Sequence, residues 1–165
     1  MMKHIFSLIT ILLLFSCTTT KKENVEANTI KIDTTRLTSS QIESNLKAKG
    51  FKTFSYVDET TKDTVIMQQY FIAFLKSGSN RNQTEEEAKL LQEQHLAHLG
   101  SMYEQGFADI SGPFGDDGDI RGITIYNVPT QQMADSLAKS DPMVKAGRLD
   151  IEIHPWWAAK GFKLR

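Results

Sequence analysis

The segment VIMQQYFIAFL, residues 65–75, carries the clearest strand signal in the chain. β-Branched and aromatic side chains dominate it and no glycine or proline interrupts it, which is typical of a strand in a protein core. The polar residues 77–83 that follow include a glycine and predict a loop. Thr84, placed directly before three glutamates, then predicts the capped start of a helix that is stopped by Gly106.

Four more elements are predicted after this helix. We expect strands at residues 107–111 and 120–126, joined by a turn, and a second helix over residues 130–139. That helix must end before the Asp141-Pro142 step, because proline disfavours helical backbone at its predecessor. A last strand is predicted over residues 149–154.

These elements follow the order β-α-β-β-α-β within residues 64–165. That order predicts an α+β, ferredoxin-like domain, in which an antiparallel sheet carries both helices on one face. The other face of the sheet is then left bare. Because an exposed apolar face favours association, we expect a homodimer.

Residues 38–63 predict a short helix and a strand added before this domain. Thr38 offers an N-cap hydroxyl, Glu43 is the expected partner in a capping box, and Gly50 ends the helix. The aromatic residues between Phe51 and Tyr56 predict the strand, which a polar turn follows.

The N-terminus predicts export and a lipid anchor. Residues 1–16 have a charged start and an apolar run too short to span a bilayer, as in a secretory signal peptide. Leu14 and Ser16 ahead of Cys17, the only cysteine, resemble a bacterial lipobox, and this resemblance implies that Cys17 is lipidated. Residues 17–37 are rich in Thr, Lys, Glu and Asn, which predicts a flexible tether. We therefore expect a membrane-anchored lipoprotein of the bacterial cell envelope.

Charge and glycine patterns argue against several classes of ligand. The formal net charge is −1 and no basic cluster is denser than Lys21-Lys22, so a nucleic-acid surface is not expected. Gly112 and Gly115 do not form a phosphate-binding loop. The acidic residues 115–119 lack the ligand spacing of a calcium loop and predict a hairpin turn. We expect neither a cofactor nor a metal.

The first long helix carries a histidine where a leucine is expected. On a helical wheel His95 lies near the centre of an apolar arc, and His98 lies at its edge. A buried imidazole needs a hydrogen-bond partner or a neighbouring cavity. The position of His95 alone favours a hydrogen-bonded core histidine, with a catalytic or ligand-binding histidine as the alternative. The arc consists of Ala88, Leu91, Leu96, Leu99, Met102 and Tyr103.

The sequence from Val65 to about Pro155 resembles the YCII-related domain. Four short segments carry this resemblance through their order and spacing. The segments read QHLAHL, ISGPFGDD, SDPMVKAG and EIHPW. The resemblance implies a ferredoxin-like domain of the dimeric α/β barrel type, with a pocket and acid–base chemistry on a small organic molecule. A lyase- or isomerase-type reaction is the activity expected from it.

The resemblance also implies roles for individual residues. The family's histidine matches His95, as proton carrier, and the aspartate of the DP step matches Asp141, as the residue that orients the imidazole. Asp109 and Asp116 are rivals for the second role. The segment Ser111-Gly112-Pro113 is placed at the pocket rim. The competing function is a non-catalytic dimer that binds a small ligand or scaffolds an envelope assembly.

Three weaker signals favour ordinary structural roles. A zinc site at His95 and His98 has no third ligand at a suggestive spacing. Lys139 and Lys145 flank the SDP segment and are interpreted as solvated surface charges. Trp156-Trp157 is expected to pack at the edge of the domain or of a dimer interface.

Overall fold

The computed structural model describes residues 37–165, so the predicted signal peptide, the lipidation site at Cys17 and the tether up to residue 36 lie outside the described residues. Within 37–165, no helix combines the length and apolarity needed to cross a membrane. The elements of this part of the chain are α1 (Ser39–Ala48), β1 (Thr53–Val57), β2 (Thr64–Ser77), α2 (Glu85–Glu104), β3 (Ala108–Pro113), β4 (Ile120–Tyr126), α3 (Gln131–Lys139), α4 (Pro142–Lys145) and β5 (Leu149–Ala159).

Strand β2 lies inside the sheet and pairs antiparallel with three strands. One edge of β2 pairs with β5. Its other edge pairs with β1 over residues 64–68 and with β4 over residues 71–76. Since β3 pairs with β4, the order β5-β2-β4-β3 is that of a ferredoxin-like sheet. The predicted α+β fold is confirmed, with α1 and β1 as an N-terminal addition.

Small side chains let α3 approach the sheet closely. Ala134 and Ala138 of α3 are buried in the same apolar core as Phe71 of β2 and Tyr126 of β4. The alanines leave room that the aromatic side chains of the sheet fill, as close packing requires. The core therefore joins the sheet to the helices on one of its faces.

The segment after α3 differs from the sequence prediction. The Asp141-Pro142 step ends α3 as expected, but it also begins a further short helix, α4. Pro142 occupies the first turn, where a missing backbone N–H carries no penalty. One proline thus ends one helix and begins the next.

Strands β3 and β5 extend further than predicted. Gly112 and Pro113 belong to β3 rather than to a turn, and they pair with Ile123 and Gly122 of β4. Proline is tolerated there because β3 is an edge strand.

The added length of β5 brings its tryptophans into the sheet. Trp157 contacts Phe54 of β1, with ring centroids 5.1 Å apart. Trp156 contacts Tyr70 of β2 at 6.2 Å. The extended part of β5 therefore packs against the N-terminal addition.

Glu43 does not form the capping box of α1. The partner of Thr38 is Gln41, which donates its backbone N–H to the Thr38 hydroxyl and accepts from the Thr38 backbone. Glu43 faces β1 instead, where it accepts from the Ser55 hydroxyl at 2.9 Å and pairs with Lys47 at 2.7 Å. These partners lower the pKa of Glu43, Lys47 most strongly.

The apolar arc of α2 is narrower than the helical wheel suggests. His95 and Met102 are buried, whereas Leu96 and Tyr103 are 57% and 68% exposed. The helix packs on α4 and β3 along a thin strip, so only the middle of the predicted arc meets other elements.

Candidate active site

A buried hydrogen bond joins α2 to the start of α4. His95 Nδ1 lies 2.6 Å from Asp141 Oδ2, although 46 positions separate the two residues. Their exposed fractions are only 8% and 3%. His95 reaches this position because α2 packs on α4, and Asp141 because it is the N-cap of α4. The structure thus brings together the histidine and the aspartate that the sequence singled out.

The second carboxylate oxygen holds Asp141 in place. The Met143 backbone N–H donates to Asp141 Oδ1 at 2.8 Å. A carboxylate only accepts hydrogen bonds, so this network assigns the shared proton to His95 Nδ1. In the neutral form of the imidazole with this tautomer, His95 Nε2 carries the lone pair. Among the described residues Nε2 has no hydrogen-bond partner, and it is not sealed inside the protein.

His95 forms part of the wall of a cavity of about 420 Å³. Small-molecule sites typically measure about 300–1,000 Å³. The segment Ser111-Gly112-Pro113 lines the same cavity. The Ser111 hydroxyl is hydrogen-bonded to the Thr124 hydroxyl at 3.0 Å, so it is held in place by β4. The functional roles assigned to these residues remain predictions.

A glycine lets β3 and β4 approach at the cavity wall. A Cβ added to Gly122 would lie 2.6 Å from the Gly112 carbonyl oxygen, well inside van der Waals contact. Any side chain at residue 122 would therefore displace the strand that carries Ser111.

The charge of Asp141 also affects the pKa of a neighbouring tyrosine. The pKa of Tyr126 is raised, first by its burial and second by the negative charge of Asp141. Tyr126 therefore stays protonated at neutral pH. It belongs to the apolar core behind the histidine–aspartate pair and does not line the cavity.

The neighbouring histidine has a different environment. His98 Nε2 is sealed inside the protein and has no partner among residues 37–165. Burial is the main cause that lowers the pKa of His98, and the charge of Asp141 opposes it. His98 is therefore neutral at pH 7 and lies outside the cavity lining.

The rival carboxylates lie elsewhere. Asp109 accepts from the Asn127 amide at 3.1 Å, and Asp116 accepts from the Gly118 backbone in the hairpin turn. His154 pairs with Glu152 at 2.6 Å. In the described part of the chain, no three His, Cys, Asp or Glu side chains converge as a metal site would require.

Comparison with known proteins assigns the chain to a family. A sequence model of the YCII-related domain matches residues 71–157, which is 157 − 71 + 1 = 87 of the 165 residues. The chain belongs to the YCII-related family. No curated protein matches the sequence of this YCII-related chain significantly.

Several solved structures resemble the YCII-related chain, and one of them does so at low similarity. It is the 5-chloro-2-hydroxyhydroquinone dehydrochlorinase TftG from Burkholderia phenoliruptrix AC1100, in complex with 2,5-dihydroxybenzoquinone. The TM-score is 0.40 and the sequence identity 22%, over 53% of this chain and 92% of the other.

Three arginines of the YCII-related chain also line the cavity, and sequence reasoning did not find them. Arg81 lies in the loop after β2, Arg121 in β4 and Arg148 before β5. They are far apart in sequence and belong to no motif, so only the folded chain brings them together. The lysines that flank the SDP segment, Lys139 and Lys145, do not line the cavity.

Proposed function

We propose that this YCII-related lipoprotein is a general acid–base catalyst that acts on a small organic molecule in a lyase- or isomerase-type reaction. One observation carries the proposal: His95 is hydrogen-bonded to the buried carboxylate of Asp141, and its ring also lines a cavity large enough for a small molecule.

The geometry supports separate roles for the two residues. His95 Nε2 accepts a proton from a ligand in the cavity, and the resulting imidazolium is stabilised by the carboxylate of Asp141. In an isomerisation the same proton returns to a different atom of the ligand. In an elimination the leaving group departs with its bonding electrons, and the proton taken up by His95 is passed to that group or to solvent. Neither route needs an oxidant or a reductant.

We also propose that this activity takes place in the bacterial cell envelope. The lipobox-like sequence before Cys17 supports a membrane anchor, and the tether that follows supports a domain held away from the lipid. Dimerisation through the sheet face opposite α2 and α3 is part of the proposal. Light scattering on the purified chain should give twice the monomer mass, and a monomer at high concentration would contradict this part.

The proposal is tested with His95→Gln, which removes the titratable ring and retains a polar side chain. Turnover of any substrate found in a broad screen should fall about 100-fold or more, the usual scale for losing a general base. His98→Gln is the matched control, because His98 lies on the same helix but outside the cavity. Ligand binding with no turnover by the wild type would favour the non-catalytic alternative.

A further inference from the structure

We propose that the cavity beside His95 binds a small organic carboxylate, with Arg148 as its main anchor and with Arg81 and Arg121 as supporting cations. The inference deepens the proposed function and rests on it, because it names the substrate class of the same cavity.

The lining of the cavity has a one-sided charge. Three arginines contribute to it, and no aspartate or glutamate of residues 37–165 does. Asp141 is the carboxylate closest to the imidazole, but its two oxygens accept from His95 and from the Met143 backbone. A concave site lined by cations of this kind attracts anions.

The three arginines also have no carboxylate counterion in the part of the chain that the structure describes. Among residues 37–165, none of the three forms an ion pair with a carboxylate. Three lysines in the same part of the chain, Lys47, Lys76 and Lys139, each do. The cavity thus concentrates cations that have no acidic partner in this part of the chain.

Arg148 has the strongest need for an acceptor. It is half-buried, its Nη1 donates to Gln83 Oε1 at 3.1 Å, and its sealed Nε has no partner among the described residues. A guanidinium withdrawn from water is destabilising unless an anion compensates it. A carboxylate in the cavity offers two oxygens that match the planar guanidinium fork.

The backbone holds the two loops of this site together. The Gly78 N–H donates to the Arg148 carbonyl at 3.0 Å, and the Asn80 N–H donates to the Gly147 carbonyl at 3.0 Å. The Asn80 side chain adds a bond to the Ala146 carbonyl at 2.9 Å. The loop that carries Arg81 is therefore fixed against the segment that ends at Arg148.

We assign Arg121 a supporting role because an acidic turn lies beside its guanidinium group. Its Nη1 donates to the Gly118 carbonyl at 3.1 Å, inside the acidic turn of residues 115–119. The remaining lining favours a carbon skeleton behind the carboxylate. Its aliphatic and thioether side chains, apart from Pro113, are those of Leu75, Leu96, Leu99, Ile123, Met143 and Leu149.

The test compares carboxylates with neutral amides of the same shape. Benzoate, phenylacetate and succinate are titrated into the full chain in detergent by calorimetry, each beside its amide. The carboxylates should bind roughly tenfold or more tightly than the amides, and Arg148→Met should remove most of that preference. Equal binding within all three pairs, or no carboxylate binding at all, overturns the inference.

Two variants separate the anchor from a general effect of charge. Lys139→Met removes a positive charge outside the cavity and should leave benzoate affinity unchanged. Arg148→Lys retains the charge but loses the fork, so its affinity should be intermediate. If Arg148→Met does not fold, Arg148→Lys and Arg81→Met provide the decision, and unchanged affinity in both contradicts the inference.

The same titrations distinguish this inference from the proposed catalysis. His95→Gln should still bind the carboxylates. Carboxylate binding by a wild type that turns over no substrate keeps the inference and removes the catalytic proposal. Turnover confined to uncharged molecules would keep the catalytic proposal and remove the inference of a carboxylate site.

Discussion

Asp141 Oδ2 and His95 Nδ1 are 2.6 Å apart, and Asp141 is at the same time the N-cap of α4. One carboxylate therefore begins a helix and orients an imidazole. Because both oxygens are used, a change at Asp141 affects the backbone of α4 and the protonation pattern of His95 together.

Asp141→Asn should alter the tautomer of His95. An amide has one acceptor oxygen where the carboxylate has two, so Met143 N–H and His95 Nδ1–H can no longer both be satisfied as they are now. We expect a mixture of imidazole tautomers in ¹⁵N NMR and a loss of about 1–3 kcal/mol in the free energy of unfolding.

Asp109→Asn is the control for this experiment. Asp109 accepts a hydrogen bond from Asn127, whereas the carboxylate that is hydrogen-bonded to His95 is that of Asp141. Asp109→Asn should leave the ¹⁵N pattern of His95 unchanged. A wild-type pattern in Asp141→Asn would remove Asp141 from its orienting role.

Gly78→Ala should disturb the arginine loops. A Cβ at residue 78 would overlap with the Gly147 carbonyl oxygen, which is backbone and cannot rotate away. We expect a loss of about 1–3 kcal/mol in the free energy of unfolding, measured in urea, as for other overpacked sites.

Gly100→Ala provides the opposite case within the same chain. Gly100 lies in α2 with open space where its Cβ would be, so alanine should stabilise the helix by about 0.5–1 kcal/mol. If Gly78→Ala and Gly100→Ala changed the free energy of unfolding by the same amount, the close approach of the two loops at Gly78 would not be the cause of the lost stability.

Local patterns predicted the fold and the histidine well. The composition of residues 65–75 and the spacing of turns and caps were enough for the ferredoxin-like order, because each element has a strong signal of its own. His95 was visible as a polar residue in an apolar stripe. Asp141 needed the family resemblance as well, since an aspartate before proline indicates only where a helix ends.

Features that depend on contacts between distant segments were missed. A helical wheel does not say how much of an apolar arc meets other elements, so the exposure of Leu96 and Tyr103 was not anticipated. Arg81 and Arg148 come together because the loop after β2 is hydrogen-bonded to the segment before β5, and Arg121 reaches the same cavity from β4. Single-sequence reasoning had no signal for that convergence.

Cys17→Ser tests the proposed anchor. Without the thiol no lipid can be attached, so the chain should move from the membrane fraction to the soluble fraction after cell lysis. The measurement is an immunoblot of the two fractions, with Ser16→Ala as a control that keeps a small residue before the cysteine. Membrane association of Cys17→Ser would contradict lipid anchoring at this residue.

His98 should weaken the folded state as the pH falls. Its folded pKa is lowered from 6.5 chiefly by burial, against the opposing charge of Asp141. Between that lowered value and 6.5 the unfolded chain binds more protons than the folded chain. The contribution to stability is therefore fully present above 6.5 and is lost as the pH falls through this window.

His98→Gln removes this titration and should flatten the pH dependence. Urea unfolding from about pH 8 to about pH 5 measures it, because the histidine changes charge within this range. The variant should lose less free energy of unfolding over the range than the wild type, whatever its stability at pH 8. His95, Asp141 and Lys145 remain in both proteins, so their contributions cancel to first order in the comparison. Parallel curves would mean that His98 has the same proton affinity in the folded and unfolded chains, and its burial would then have no electrostatic consequence.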